Sequence, residues 1–133
     1  MGGTVADVRW IHDFVAAWNS QDGPLVGTFL AEDCYWEDTA VGQRGEGRDY
    51  VVKNWSTGFS SIFPDAHFEV EHAICDDEGY AIQWRWTGTH QASGKSYDIR
   101  GASAGHHKDG LVVGQTDYWN VATMTKQLGG PIF

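Results

Sequence analysis

The stretch GHHKDGLVVGQTDYWNV, residues 105–121, decides how the chain is read. Lys108-Asp109-Gly110 has the composition of a tight hairpin turn, with Gly where a positive φ is tolerated. Beyond it, strand alternation puts Leu111, Val113, Gln115, Asp117 and Trp119 on one face, and Val112, Gly114, Thr116 and Tyr118 on the other. A solvent face would not carry Trp and Val, and a packing face would not carry Asp. Asp117 is the residue that needs a reason.

At 133 residues the chain is read as one domain, residues 1–133, long enough to bury a core. Eighteen acidic residues against nine basic ones give a net charge of −9, which disfavours nucleic acid and anionic membranes as partners. Cys34 and Cys75 show no metal-type spacing, no basic-then-apolar leader opens the sequence, and no apolar run approaches spanning length. The expectation is a soluble, cytoplasmic protein without disulfides. Seven Trp residues are many for this length, and a thick aromatic core accounts for most of them.

Working outward, Val8, Ile11, Val15 and Trp18, with Trp10, Phe14 and Ala17 beside them, predict an amphipathic helix from Val5 to Asn19. Asp22 is placed to cap a second, short helix with Pro24 in its first turn and Leu25, Val26, Phe29 and Leu30 inward. Glu32-Asp33 closes that pair. Cys34–Thr39 reads as a strand with Trp36 and Asp38 on one face, residues 42–47 as a loop, and Arg48 to about Ser60 as a helix ended by Pro64. Ala66–Cys75, Tyr80–His90 and Ser96–His107 alternate as strands that lead into the opening stretch, and Val121–Leu128 can form a last helical turn. The expected fold is α+β: an antiparallel sheet curled around helices.

This order of elements resembles the nuclear transport factor 2-like superfamily, which implies a cone-shaped, curved antiparallel sheet wrapped around the N-terminal helices, with a single apolar cavity. Phe63-Pro64-Asp65, Gly88-Thr89-His90, Asp109-Gly110-Leu111-Val112 and Asp117-Tyr118-Trp119-Asn120 resemble the SnoaL-like polyketide cyclases. Gly94-Lys95-Ser96-Tyr97 and the run to Asp117 are also similar to limonene epoxide hydrolase, and Phe14–Asn19 with Glu37-Asp38 to ketosteroid isomerase. The resemblance to the isomerase places its general base on Asp38. Its oxyanion tyrosine falls on Phe14 and its protonated Asp on Ala102 or Ser103, so both oxyanion donors are missing. The resemblance to the hydrolase places the shared catalytic Asp on Asp117 but its Arg and second Asp on Trp84 and Trp86, with Arg85 facing away. The cyclase pattern, one acid–base Asp in an apolar cavity, implies a cavity histidine on the strand ending at His107, although spacing puts that position nearer Ser103.

Asp117 and Asp38 are therefore the candidate catalytic residues. Trp36, Trp84, Trp86, Ile99, Ser103, His107, Gln115, Trp119 and Phe14 are the candidate substrate-binding residues. Competing structural roles stay open: an ion pair or turn cap for Asp117, a loop hydrogen bond for Asp38, and a solvated pair for His106 and His107. Asp65 at the cavity mouth is a possible second acid. No His spacing suggests a metal, and no cofactor is implied. The resemblance implies acid–base chemistry on a small hydrophobic carbonyl compound, as an aldol-type cyclisation or isomerisation. Epoxide opening and non-catalytic ligand binding are the alternatives. Related cones pair through the outer sheet face, so a homodimer is expected.

Overall fold

The computed structural model of the protein describes residues 7–133. The expected first turn from Val5 lies outside the described residues. Helix α1 (Val8–Ser20) is capped by Asp7, whose carboxylate accepts the Trp10 N–H at 3.1 Å. Ile11, Phe14, Val15 and Trp18 form its buried stripe, and it ends at Gln21 in the left-handed conformation, φ 55°. Helix α2 (Gly23–Gly27) is capped by Asp22, as read, with the Leu25 N–H at 3.2 Å.

The helical reading of Phe29, Leu30 and Glu32-Asp33 is corrected by the structure. Strand β1 already begins at Leu30 and runs to Asp38. A long-range contact decides this: the Val112 N–H donates to the Phe29 carbonyl at 2.8 Å and pulls the chain into the sheet. Residues 42–47, read as a loop, contain the edge strand β2 (Gln43–Glu46), paired antiparallel to β1. Its composition carries no strand signal. Gly45 fits because a side chain there would strike the Tyr50 ring, 2.3 Å from a built Cβ.

Helix α3 (Arg48–Lys53) continues through a π-helical stretch, Asn54–Phe59, into α4 (Ser60–Ile62), ending before Pro64. Then come β3 (His67–Cys75), β4 (Gly79–Thr89), β5 (Ser96–Lys108), β6 (Leu111–Tyr118) and α5 (Val121–Leu128). Asp109 and Gly110 both take positive φ, 55° and 80°, as a two-residue hairpin turn demands. Asn120 caps α5 by accepting the Ala122 and Thr123 N–H groups.

The six strands form one curved, unclosed sheet in the order β2-β1-β6-β5-β4-β3. β3 to β6 are antiparallel neighbours in chain order, and β1 returns to pair parallel with β6. Trp84 and Trp86 are each 3% exposed on the inner face, whereas Arg85 points outward and pairs with Asp98. The register breaks at three places, between Leu30 and Tyr35, between Val70 and His72, and between His106 and His107, and the last bears on the site. Between the pairs His106/Gly114 and His107/Val112, Val113 has no partner, so the face parity reverses across this bulge. Gln115 and Asp117 keep the inward position. Nearer the turn, Val112 is buried and Leu111 exposed.

Helix α1 lies on the inner face, with the Trp18 ring against Trp36 and Phe68. Asn19 fastens it to the sheet edge. Its amide donates to the Phe68 carbonyl at 2.9 Å and its carbonyl accepts the Phe68 N–H at 2.7 Å, as a neighbouring strand would. Asn19→Ala leaves both backbone groups of the buried Phe68 unpaired. A loss of about 1–3 kcal/mol in urea unfolding is expected, and an unchanged midpoint would show that the two bonds contribute nothing net.

Candidate active site

β1 and β6 run in parallel with Trp36 level with Gln115 and Asp38 level with Asp117, so the two carboxylates leave adjacent strands on one face. Each is met by a tryptophan from the other strand region. The Trp36 Nε1–H donates to Asp117 Oδ2 at 2.6 Å, and the Trp119 Nε1–H is shared between Asp38 Oδ1 and Oδ2 at 3.0 and 2.9 Å. Asp38 Oδ1 also accepts the Ala40 N–H at 2.9 Å, which closes the turn after β1. The loop hydrogen bond considered for Asp38 thus exists, and it leaves the carboxylate at the cavity.

Asp117 accepts two further bonds at Oδ1, from the Ser103 hydroxyl at 2.7 Å and the Gln115 amide at 2.9 Å. Both donors are oriented from behind. The buried Trp84 Nε1–H donates to the Ser103 oxygen at 2.9 Å, and the Tyr80 hydroxyl donates to Gln115 Oε1 at 2.6 Å. Burial, and then the Asp117 charge, hold the Tyr80 phenol well above its ordinary pKa, so it remains a donor. Among the described residues no guanidinium reaches Asp117. Burial pushes its carboxyl up to about 6. The three hydrogen bonds pull it down, and the Asp38 charge adds a smaller upward push.

Both carboxylates open on a cavity of about 390 Å³. Trp36, Trp84, Trp86 and Trp119 line it, as read from the sequence. Five candidates stand elsewhere. Ser103 and Gln115 lie behind Asp117 and act on it rather than on a ligand. Ile99 is 1% exposed in the core, and Phe14 packs between Trp10 and Trp18 without reaching the cavity. His107 is corrected outright. Its Nε2 pairs with the Asp76 carbonyl at 2.8 Å and its ring lies against Trp10 and Tyr80. It sits four residues beyond Ser103, about 13 Å along β5, so parity was right and distance was not. Asp65 caps the Thr89 N–H at 2.7 Å, which lowers its pKa, and it does not line the cavity.

The helical wall was missed as site. Tyr50, Val51 and Asn54 line the cavity, as do Trp55, Phe59, Ile62 and Phe63, with Ile132 and Phe133 from the last residues. Trp55 and Phe59 are inward by periodicity, but periodicity cannot tell core from cavity wall. The π-helical stretch brings Asn54, Trp55, Gly58 and Phe59 onto the same space. Among the described residues no three His, Cys, Asp or Glu side chains converge to hold a metal ion, and no helix is long and apolar enough to cross a membrane.

Solved structures share this fold. A Catenulispora acidiphila protein with a ketosteroid isomerase-like fold, solved in complex with trimethylamine, superposes with a TM-score of 0.86 at 18% identity, over 96% of this chain and 97% of its own. A Burkholderia pseudomallei NTF2-like protein of unknown function gives 0.78 at 17% identity, over 90% and 95%. A Shewanella denitrificans protein assigned as a SnoaL-like polyketide cyclase gives 0.77 at 15% identity, over 91% and 95%. At these identities the likeness is one of fold. No curated protein matches the sequence. The family described as SnoaL-like domain matches residues 11–115, most of the length, and the chain belongs to that family.

Proposed function

We propose that the protein is a cofactor-independent acid–base enzyme acting on a small hydrophobic carbonyl compound, with Asp117 as the group that moves the proton. The observation that supports this most directly is a buried carboxylate on an aromatic cavity, held by three donors and, among the described residues, by no counter-cation, a setting that pushes its pKa up to about 6. Oδ1 is engaged twice and Oδ2 once, so Oδ2 keeps an acceptor position for a substrate C–H. In an aldol-type cyclisation Asp117 takes a proton from a carbon between two carbonyls. The electron pair of the C–H bond becomes the enolate, whose carbon bonds to a second carbonyl carbon. The oxygen of that carbonyl then receives the proton back from Asp117. Such a carbon is acidic enough to need little further help. Asp38 assists by its charge and by holding Trp119. Arg85, turned outward to Asp98, gives the epoxide-opening alternative no arginine at the cavity. The outer face of β3–β6 is our proposed dimer surface, and light scattering at micromolar concentration tests it, a monomer ending the idea.

The active form of a general base is the ionised one. Turnover of a soluble polyketone, or hydrogen–deuterium exchange at its central carbon, should therefore rise with pH through about 6 and level off above it. Asp117→Asn should lower that rate by roughly two to four orders of magnitude with the far-UV spectrum unchanged. A variant that folds and keeps its rate would remove Asp117 from the mechanism.

The same pKa has a stability consequence of definite sign. A folded-state value raised from 3.8 to about 6 means that the folded protein binds its proton more tightly than the unfolded chain. Asp117 therefore takes away stability as pH climbs past 3.8, and the loss is complete above about 6. An asparagine carries no such dependence. The stability of Asp117→Asn relative to the parent should increase across this window, by up to roughly 3 kcal/mol. Thermal midpoints of the two proteins at several pH values give the answer, and parallel curves would contradict it.

A further inference from the structure

The cavity concentrates negative charge and indole rings, and no protein cation answers them. Asp38 and Asp117 both line it, while no Lys, Arg or His does so among the described residues. The arginines whose pairing is seen are spent outside: Arg85 on Asp98, Arg100 on Glu71, and Arg44 on Glu46 and the Tyr35 ring. Two like charges in a partly desolvated space repel each other, and Asp38 adds to the upward shift of Asp117.

Trp36, Trp55, Trp84, Trp86 and Trp119 make the cavity walls aromatic. Trp86 and Trp119 stand at 89° with centroids 5.3 Å apart, Trp84 and Trp86 at 78°, and Trp36 and Trp55 at 64°. These edge-to-face contacts join the indoles into a continuous aromatic lining of the cavity. Trp36 and Trp119 moreover donate their N–H groups to the carboxylates. A hydrogen bond to an anion pushes electron density into the indole, which makes the ring face more attractive to a cation. Their donor edges are also occupied, so what these two rings offer a ligand is carbon surface.

We propose that the cavity binds an alkylammonium cation, held between the tryptophan rings and the Asp38–Asp117 pair. The inference rests on the same cavity as the carbonyl reading and narrows its substrate class to compounds that carry a tertiary or quaternary amine. A trialkylammonium group presents a diffuse, weakly hydrated charge, which is the form that aromatic walls bind best. The volume of about 390 Å³ leaves room beside it for an uncharged body. The net charge of −9 draws cations toward the protein from a distance.

The test compares choline with its uncharged isostere, 3,3-dimethyl-1-butanol, by calorimetric titration of the full chain at neutral pH. Choline should bind about tenfold more tightly. Asp38→Asn should reduce that preference, and Trp86→Leu should weaken choline more than Trp86→Phe does. Affinity should also fall as pH is lowered through about 6, where Asp117 gains its proton. The titratable groups facing Asp117 are Asp38 from β1, Tyr80 from β4 through Gln115, and Tyr50 across the cavity. Equal or tighter binding of the isostere to the parent protein, or no saturable binding of choline, overturns the proposal. Choline has no carbonyl group, so this result stands apart from turnover. Processing of a neutral polyketone without choline binding would leave the catalytic reading and remove this one.

Discussion

Hydrogen-bond donors from three strands converge on the Asp117 carboxylate, and the inner face of the protein is arranged around that convergence. Trp36 comes from β1, Ser103 from β5 and Gln115 from β6 itself. Two of the three are polarised by a further donor, Trp84 behind Ser103 and Tyr80 behind Gln115. Every bond in the set points toward the carboxylate, so the network favours a negative charge in one orientation. Burial opposes that charge. The balance leaves the carboxyl near 6, neither a permanently ionised surface acid nor a neutral core group.

Such a balance needs the sheet topology. The parallel pairing of β1 with β6 sets Asp38 level with Asp117 and lets each tryptophan reach across to the other strand's acid. The bulge at Val113 then keeps Gln115 and Asp117 inward while Val112 fills the core nearer the hairpin. Opposite this floor, the helical run from Arg48 to Ile62 supplies an aromatic wall. Its π-helical turn brings a polar Asn54 to the same space as Trp55 and Phe59. The result is a site with a charged floor, apolar sides and, among the described residues, no basic group, which suits a ligand that brings its own acidity or its own positive charge.

Much of the fold was legible because its signals are local. The stripe of α1, the cap at Asp22, the Asp109-Gly110 turn and the alternation of β4 and β5 each depend on residues within a few positions of one another. Trp36, Asp38, Trp84, Trp86 and Asp117 reached the cavity because a period of two is enough to place side chains on one side of a sheet. Features set by distant contacts were not legible. β1 starts at Leu30 because Val112 pairs there, β2 exists because β1 offers it an edge, and the bulge shifts parity without any mark in the sequence.

The sequence by itself determined the fold, its family resemblance and the two acids facing an aromatic interior. Each of these follows from residue type and spacing along the chain. Only the tertiary structure decided which residues touch Asp117, which line the cavity and which merely sit in the core. Ser103, Gln115, Ile99, Phe14 and His107 all had a plausible place in the site. The structure set two of them behind the carboxylate, two in the core and one far along β5. Periodicity gives a direction from the backbone, whereas contact depends on where another strand or helix, dozens of residues away, brings its own side chains.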